Sequence, residues 1–213
     1  MILLLFGPPG CGKGTQSRLL SQWLSIPAVS TGDMLRTEAE SGSELGRQLA
    51  AILATGSYVS DDLVNRIVLS QLDRLSGGLI LDGYPRTVEQ ARFLDAALSQ
   101  RGLPPPVAVT LRVPEEVIVA RLSSRSQCSN CRRVFNLADH PAPYCAECGA
   151  PLIQRSDDRP DVIQRRLLTY HEKTRPVLDY YRSHTHEVDG NQHPDIVFQA
   201  ILRAVGGANG ASG

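Results

Sequence analysis

The chain alternates short, wholly apolar runs with longer stretches whose apolar residues recur every three or four positions. ILLLF (2–6), GLILDG (78–83) and VAVTLRV (107–113) are of the first kind. They predict strands buried on both faces, because a strand with one wet face would alternate apolar and polar residues. PAVS (27–30) and HEVDG (186–190) predict two shorter strands. Helical spacing marks 16–24, 33–40, 43–54, 61–75, 87–102, 114–122, 161–182 and 194–205. Thr87 and Gln90 make a capping box at the start of one helix, Gly102 stops it, and Pro114 opens the next. The stretch 161–182 reads as one long, heavily charged helix, and GGANGASG (206–213) as a frayed tail. Strands alternating with helices predict an α/β fold with a parallel sheet flanked by helices.

Composition narrows the class. The chain has 213 residues, 42% hydrophobic and 21% charged, enough for one substantial core and a small inserted module. Lys plus Arg equals Asp plus Glu at 22 each, which argues against a general nucleic-acid coat. No apolar run approaches the ~20 residues of a membrane span. Met1–Phe6 is short and runs straight into a glycine loop, so it predicts a buried strand and not a signal peptide. The expected compartment is the cytoplasm, where cysteines serve as metal ligands more often than as disulfides.

Two motifs carry chemistry. GPPGCGKGT (7–15) follows the first strand and opens a helix. Gly7, Gly12 and Lys13 fit G-x-x-x-x-G-K, with Gly14 where the general motif has Ser or Thr. Such a P-loop turns backbone N–H groups and a helix N-terminus toward a polyphosphate, and Lys13 adds a point charge. Gly10, Cys11, Gly12, Lys13, Gly14 and Thr15 are the predicted polyphosphate cradle, which the family resemblance given below assigns to ATP. Cys11 contributes a small packing side chain, and Thr15 either caps the helix or approaches magnesium. The second motif is CSNC (128–131) and CAEC (145–148), separated by thirteen residues. Paired knuckles at this spacing predict one tetrahedral zinc held by Cys128, Cys131, Cys145 and Cys148. Four thiolates leave no open coordination position, so the zinc is expected to be structural.

Asp82 ends an apolar strand at the sheet's carboxyl edge, where α/β folds bind ligands. With Asp33 as companion, it is expected to orient waters on a magnesium ion that bridges phosphates.

GPPGCGKGTQ, STGDMLR (30–36) and LDGYPRT (81–87) occur in this order, followed by R-x-D-D at 155–158 and RRLLTYH at 165–171. Here the chain resembles the nucleoside monophosphate kinases, and among them the adenylate kinases, over essentially all of residues 1–205. The resemblance implies a discontinuous P-loop core (1–29, 60–123 and 159–205), a helical NMP-binding segment (30–59), a small zinc-ribbon lid (124–158) and a flexible tail (206–213). It implies reversible phosphoryl transfer from Mg-ATP to AMP, giving two ADP, in a monomer without nucleic-acid or membrane partners. Lys13, Arg86, Arg121, Arg125, Arg155 and Arg166 become the expected catalytic cations. By the same resemblance Arg36 and Arg86 hold the AMP phosphate, Arg121 and Arg125 face ATP, and Arg155 and Arg166 span the transferred group. Gly83, Tyr84 and Pro85 join Arg86 at the AMP site, the backbone of Ser57, Tyr58 and Val59 walls the base, and Thr31 and Gln90 read it. Val134, Phe135 and the backbone of Gln192 are implied at ATP, although Val134 and Phe135 would equally pack the ribbon's own small core. Arg132, Arg133, Arg159 and Arg165 have no such support and are expected on the surface. The acceptor phosphate is already charged, so no protein general base is expected. Two rival readings stay open: a pyrimidine monophosphate kinase, and a nucleotide-gated protein that applies its ribbon to nucleic acid.

Overall fold

The computed structural model describes residues 1–75, 77–137 and 142–209. Residues 138–141 of the cysteine spacer and 210–213 of the predicted tail lie outside it. The chain runs β1 (Ile2–Phe6), α1 (Lys13–Leu24), β2 (Ala28–Ser30), α2 (Thr31–Ala39), α3 (Glu44–Ala54), α4 (Asp61–Leu72), β3 (Leu79–Asp82), α5 (Val88–Gln100), β4 (Val107–Arg112) and α6 (Glu115–Ser123). The cysteine region then forms β5 (Arg125–Cys128), β6 (Val134–Asn136) and β7 (Leu152–Ile153). The return is made by α7 (Pro160–Thr169), α8 (Arg175–Tyr180), β8 (Thr185–Asp189) and α9 (Pro194–Asn209).

β1 shows why its sequence is apolar throughout. It sits in the middle of a parallel sheet of order β2-β3-β1-β4-β8, with β3 on one side and β4 on the other. Ile2, Leu4 and Phe6 face one core, with Leu79, Leu81, Leu94 and Tyr181. Leu3 and Leu5 face the other, with Leu20, Ile80, Val197 and Ile201. Successive side chains point to opposite faces and helices cover both, so no polar position is left along the strand. The carboxyl ends of β1 and β3 therefore emerge side by side, and they carry the P-loop and Asp82. The small sheet β6-β5-β7 is antiparallel and lies within residues 124–158.

The predicted long helix 161–182 is not continuous. A π-turn at Tyr170–Thr174 separates α7 from α8. Pro176 stands at the start of α8 and lacks an N–H, while its ring crowds the carbonyl four residues back, so the ladder widens at the turn before it. The turn also changes partners. Ile163 and Leu167 of α7 pack on Ile118 and Leu122 of α6, whereas Val177 and Tyr181 join the core around β1. The expected tail boundary at 206 is also corrected: α9 continues to Asn209. The capping box at α5 is half made. The Thr87 hydroxyl accepts from Gln90 N at 3.1 Å, but Gln90's amide turns elsewhere.

Candidate active site

The P-loop opens onto a cleft of about 1180 Å³. A single small-molecule site commonly occupies about 300–1,000 Å³, so there is room here for a pair of ligands. Gly7 turns the chain at φ 135°, where a Cβ would stand 2.7 Å from Leu111 O. Gly12 caps α1 at φ 103° with open space beside it, so its backbone faces the cleft unobstructed. Lys13 Nζ donates to Gly7 O at 2.7 Å and to Pro8 O at 3.0 Å, which folds the side chain back over the loop. Asp82 closes the floor. Burial pushes its carboxyl above the usual range against the pull of Lys13, and no described group donates a hydrogen bond to it. Gly14 is bare beside it, since a Cβ there would lie 3.5 Å from Asp82 Oδ2. A hydrated divalent cation fits a buried, donor-free carboxylate next to a side-chain-free loop position. Thr15 lines the same wall. Asp33 is engaged differently from Asp82: its Oδ1 holds Arg36 at 2.6 Å and Arg155 at 3.4 Å. Burial would raise its pKa, but these cations keep it below the usual value.

The cations converge across the cleft. Arg36, Arg86, Arg121, Arg125, Arg155 and Arg166 all line it. Two acidic residues, which the sequence showed only as part of R-x-D-D, organise them. Asp158 is fully buried and takes a bidentate pair from Arg125 (2.7 and 2.5 Å) and a third bond from Arg166 at 2.9 Å. Asp157 meets Arg166 at 3.1 Å and Arg36 at 3.7 Å. Burial together with the nearby Arg36 and Arg125 pulls Arg155 down to about 9, a measure of how closely cations are crowded here. Among the described residues Arg36 Nε is buried without a partner. A polyphosphate would satisfy that donor and relieve the repulsion. Asp158→Asn is expected to destabilise the protein by about 3 kcal/mol in denaturant melts, because it leaves two buried guanidinium groups short of charge. Asp157 adds an acid limb. Burial opposes its ionisation, but the arginines hold its pKa below 3.8. Its contribution is therefore complete above the unfolded value and is lost as pH falls through the lower folded one.

On the opposite wall, Ser57, Tyr58, Val59, Thr31, Gly83, Pro85, Arg86 and Gln90 face the cleft. Thr31 is buried and gives its hydroxyl proton to Gly83 O at 2.9 Å, leaving acceptor lone pairs. Arg86 is held by Gly83 O at 2.7 Å and lies 5.0 Å over the Tyr58 ring. Thr174, brought inward by the π-turn, donates to Arg86 O at 3.0 Å and lies 2.8 Å from Tyr58 Oη. Nothing in the helical spacing of 161–182 marked Thr174. Tyr84 is the exception among the expected AMP residues. Its side chain is fully buried and its hydroxyl donates to Asn65 Oδ1 at 2.6 Å, away from the cleft. An aromatic at a strand end packs into the core when the strand's inward face continues through it.

The residues expected at ATP, Gly10, Cys11, Gly12, Lys13, Gly14, Thr15, Val134, Phe135 and Gln192, also line the cleft. Arg121 reaches Gly190 O at 3.1 Å beside Gln192. Arg132 and Arg133, expected on the surface, are partly exposed and stand at the cleft's lining. Arg132 forms a two-pronged pair with Glu40 at the end of α2, and Arg133 pairs with Glu147. Glu40 lies ninety-two residues away in sequence, so no local pattern could announce the contact.

The four cysteines come together as the spacing predicts, with all four sulfurs within 4.8 Å of one another. Cys128 and Cys148 are 3.4 Å apart, Cys131 and Cys145 3.6 Å. A zinc tetrahedron with bonds of ~2.3 Å has edges of ~3.8 Å, so the cluster is the right size. The two knuckles have the same backbone. Cys128 N bonds Arg133 O and Cys145 N bonds Ala150 O, each five residues on. Asn130 N and Glu147 N each point at a cysteine sulfur at 3.4 Å. The residue after each second cysteine is left-handed, Arg132 at φ 60° and Gly149 at φ 73°. No helix among the described residues is long and apolar enough to cross a membrane.

Comparison with known proteins agrees with this geometry. The family model for adenylate kinase matches residues 5–186. An adenylate kinase of Anaeromyxobacter dehalogenans is 42% identical over 97% of this chain and 100% of its own length. One of Thermosipho melanesiensis is 43% identical over 96% and 99%, and one of Trichlorobacter lovleyi 45% over 86% and 88%. A P-loop, a second ligand wall, a converging arginine set and a match along nearly the whole chain lead to one conclusion: the chain belongs to the adenylate kinase family and is an ATP:AMP phosphotransferase.

Proposed function

We propose that ATP lies along the P-loop under the cysteine-bearing lid, that AMP lies against Thr31, Arg36, Ser57–Val59, Gly83, Pro85, Arg86 and Gln90, and that the γ-phosphoryl group passes between them, reversibly, to give two ADP. The observation that carries this reading is the meeting of Lys13, Arg36, Arg86, Arg121, Arg125, Arg155 and Arg166 in one cleft large enough for two nucleotides. Phosphoryl transfer asks little covalent chemistry of a protein; positioning and fixed positive charge do most of the work. Lys13 and the P-loop N–H groups hold the β- and γ-oxygens. Arg125 and Arg166, fixed by Asp158, face the transferred group, while Arg36 and Arg86 hold the acceptor phosphate. Asp82, with Asp33 and Thr15, would hold a hydrated magnesium ion, which would supply charge neutralisation for the polyphosphate. No general base is needed, because the acceptor oxygen is already anionic.

On the same reading, the lid would close over ATP. Arg125 and Arg155 belong to the lid segment, and water must leave before their charges act at full strength. The lid is too small to build much core, and the closed S4 cluster suits a structural zinc that replaces one. Cysteines that serve as metal ligands fit a reducing compartment such as the cytoplasm. The nucleic-acid reading loses its support, since the ribbon's basic pair, Arg132 and Arg133, is neutralised by Glu40 and Glu147.

Coupled assays of ATP with each monophosphate are expected to show AMP as by far the best acceptor, and faster UMP or CMP turnover would overturn the base assignment. Arg36→Ala is expected to raise KM for AMP about tenfold or more while changing KM for ATP little.

A further inference from the structure

The half-made capping box at α5 leaves two side chains pointing at one carboxylate. Thr87 Oγ1 donates to Asp61 Oδ2 at 2.7 Å, and Gln90 Nε2 donates to Asp61 Oδ1 at 2.7 Å. On its other side, Gln90 Oε1 accepts from Arg86 N at 2.7 Å. Gln90 is almost wholly buried and lines the cleft. An amide can be turned over without changing shape, and its orientation is set only by the partners that surround it. Here the partners are decisive: an ionised carboxylate only accepts, and a backbone N–H only donates. The nitrogen must face Asp61 and the oxygen must face Arg86.

We propose that Asp61 is a specificity-determining residue of the AMP site, acting through Gln90 by locking its amide in the orientation that pairs with adenine. The inference rests on the reading that Gln90 faces the AMP base. Locked this way, Nε2 keeps one proton and Oε1 one lone pair. The adenine edge offers N1 as acceptor and the N6 amino group as donor, which complements that pair. A 6-oxopurine offers the reverse, an N1–H donor and an O6 acceptor, and would need the amide turned over. Turning it would set Oε1 against the Asp61 carboxylate and Nε2 against the Arg86 N–H, so the wrong base leaves buried polar groups repelling one another. Asp61 stands at the first position of α4 and reaches both the start and the fourth residue of the α5 cap, so one carboxylate fixes the reader and the turn that carries it.

The test is the ratio of kcat/KM for AMP to that for IMP, with ATP as donor, in wild type, Asp61→Asn and Gln90→Leu. Asparagine presents either an acceptor or a donor to Gln90 and so permits both orientations. In Asp61→Asn the ratio is expected to fall about tenfold, through KM for AMP rising and IMP turnover appearing, while KM for ATP stays within about twofold. Should Asp61→Asn not fold, Asp61→Ser is read on the same ratio. A ratio that falls in Gln90→Leu but stays at the wild-type value in the Asp61 variant overturns the inference and leaves the Gln90 reading standing. An unchanged ratio in Gln90→Leu overturns that reading and the inference with it. Parallel losses of kcat for both acceptors in the Asp61 variant would make Asp61 a merely structural support, and would also overturn it.

Discussion

Lys13→Met is expected to lower kcat by about three orders of magnitude while leaving the melting temperature within about 2 °C of wild type. One preorganised donor at a developing charge is worth about 10²–10³ in rate, and Lys13 carries a full charge. Its ammonium is aimed in advance: the bonds to Gly7 O and Pro8 O hold it over the loop, so little reorganisation is needed when phosphate arrives. Methionine keeps the length and loses the charge. The same change removes the main attraction that opposes Asp82's burial, so that carboxyl should titrate higher still and hold a cation less well. Magnesium dependence should therefore shift together with kcat, which steady-state assays at varied magnesium can read. Activity near wild type would move the reacting phosphates away from the P-loop.

Removing the metal should have the second large effect. One zinc per chain is expected by elemental analysis. Stripping it with a chelator, or making Cys128→Ala, should lower activity at least about tenfold and abolish the lid's contribution to thermal stability, because a structural zinc contributes roughly 10–16 kcal/mol of apparent binding free energy to a fold that cannot form without it. The parallel sheet, which shares no cysteine ligand, should keep its own transition, so calorimetry should show the loss in the lid alone. Zinc added back to the chelated wild type should restore activity, and should fail in the alanine variant. A zinc-free protein with unchanged melting and unchanged turnover would remove the structural role assigned to CSNC and CAEC.

What could be read from the sequence was what is local. The apolar run at 2–6 announced a strand covered on both faces, and the glycines at 7, 10 and 12 announced a tight loop whose N–H groups turn toward a phosphate. The cysteine spacing pointed to four sulfurs that come together because both knuckles are closed within five residues. Contacts made by folding were hidden. Asp157 and Asp158 were visible as acids, but only burial beside Arg125 and Arg166 reveals them as anchors. Glu40 and Arg132 meet from positions ninety-two residues apart, and Asp61 meets Gln90 across two helix starts. The π-turn at 170–174 was masked because its residues keep helical spacing to within one position, and that one position is what brings Thr174 to Arg86. Tyr84 sits in a motif whose neighbours line the cleft, and its ring goes the other way.

The pairing of β5 with β7 has a consequence for how such a molecule can vary over generations. Gln127 lies opposite Ile153 and Cys128 opposite Leu152, so the chain enters and leaves the lid through neighbouring, hydrogen-bonded residues. To the sheet below, everything from 129 to 151 amounts to an elaborate turn between two adjacent strands. Lengthening such a turn costs only about 0.6 kcal/mol for each doubling of its length. The lid is thus an insertion that can be rewritten wholesale, with another fastening in place of the thiolates or a different surface toward the solvent. The short ladder at its neck, and the flanking arginines with the aspartates that fix them, are the parts a rewritten lid would have to keep.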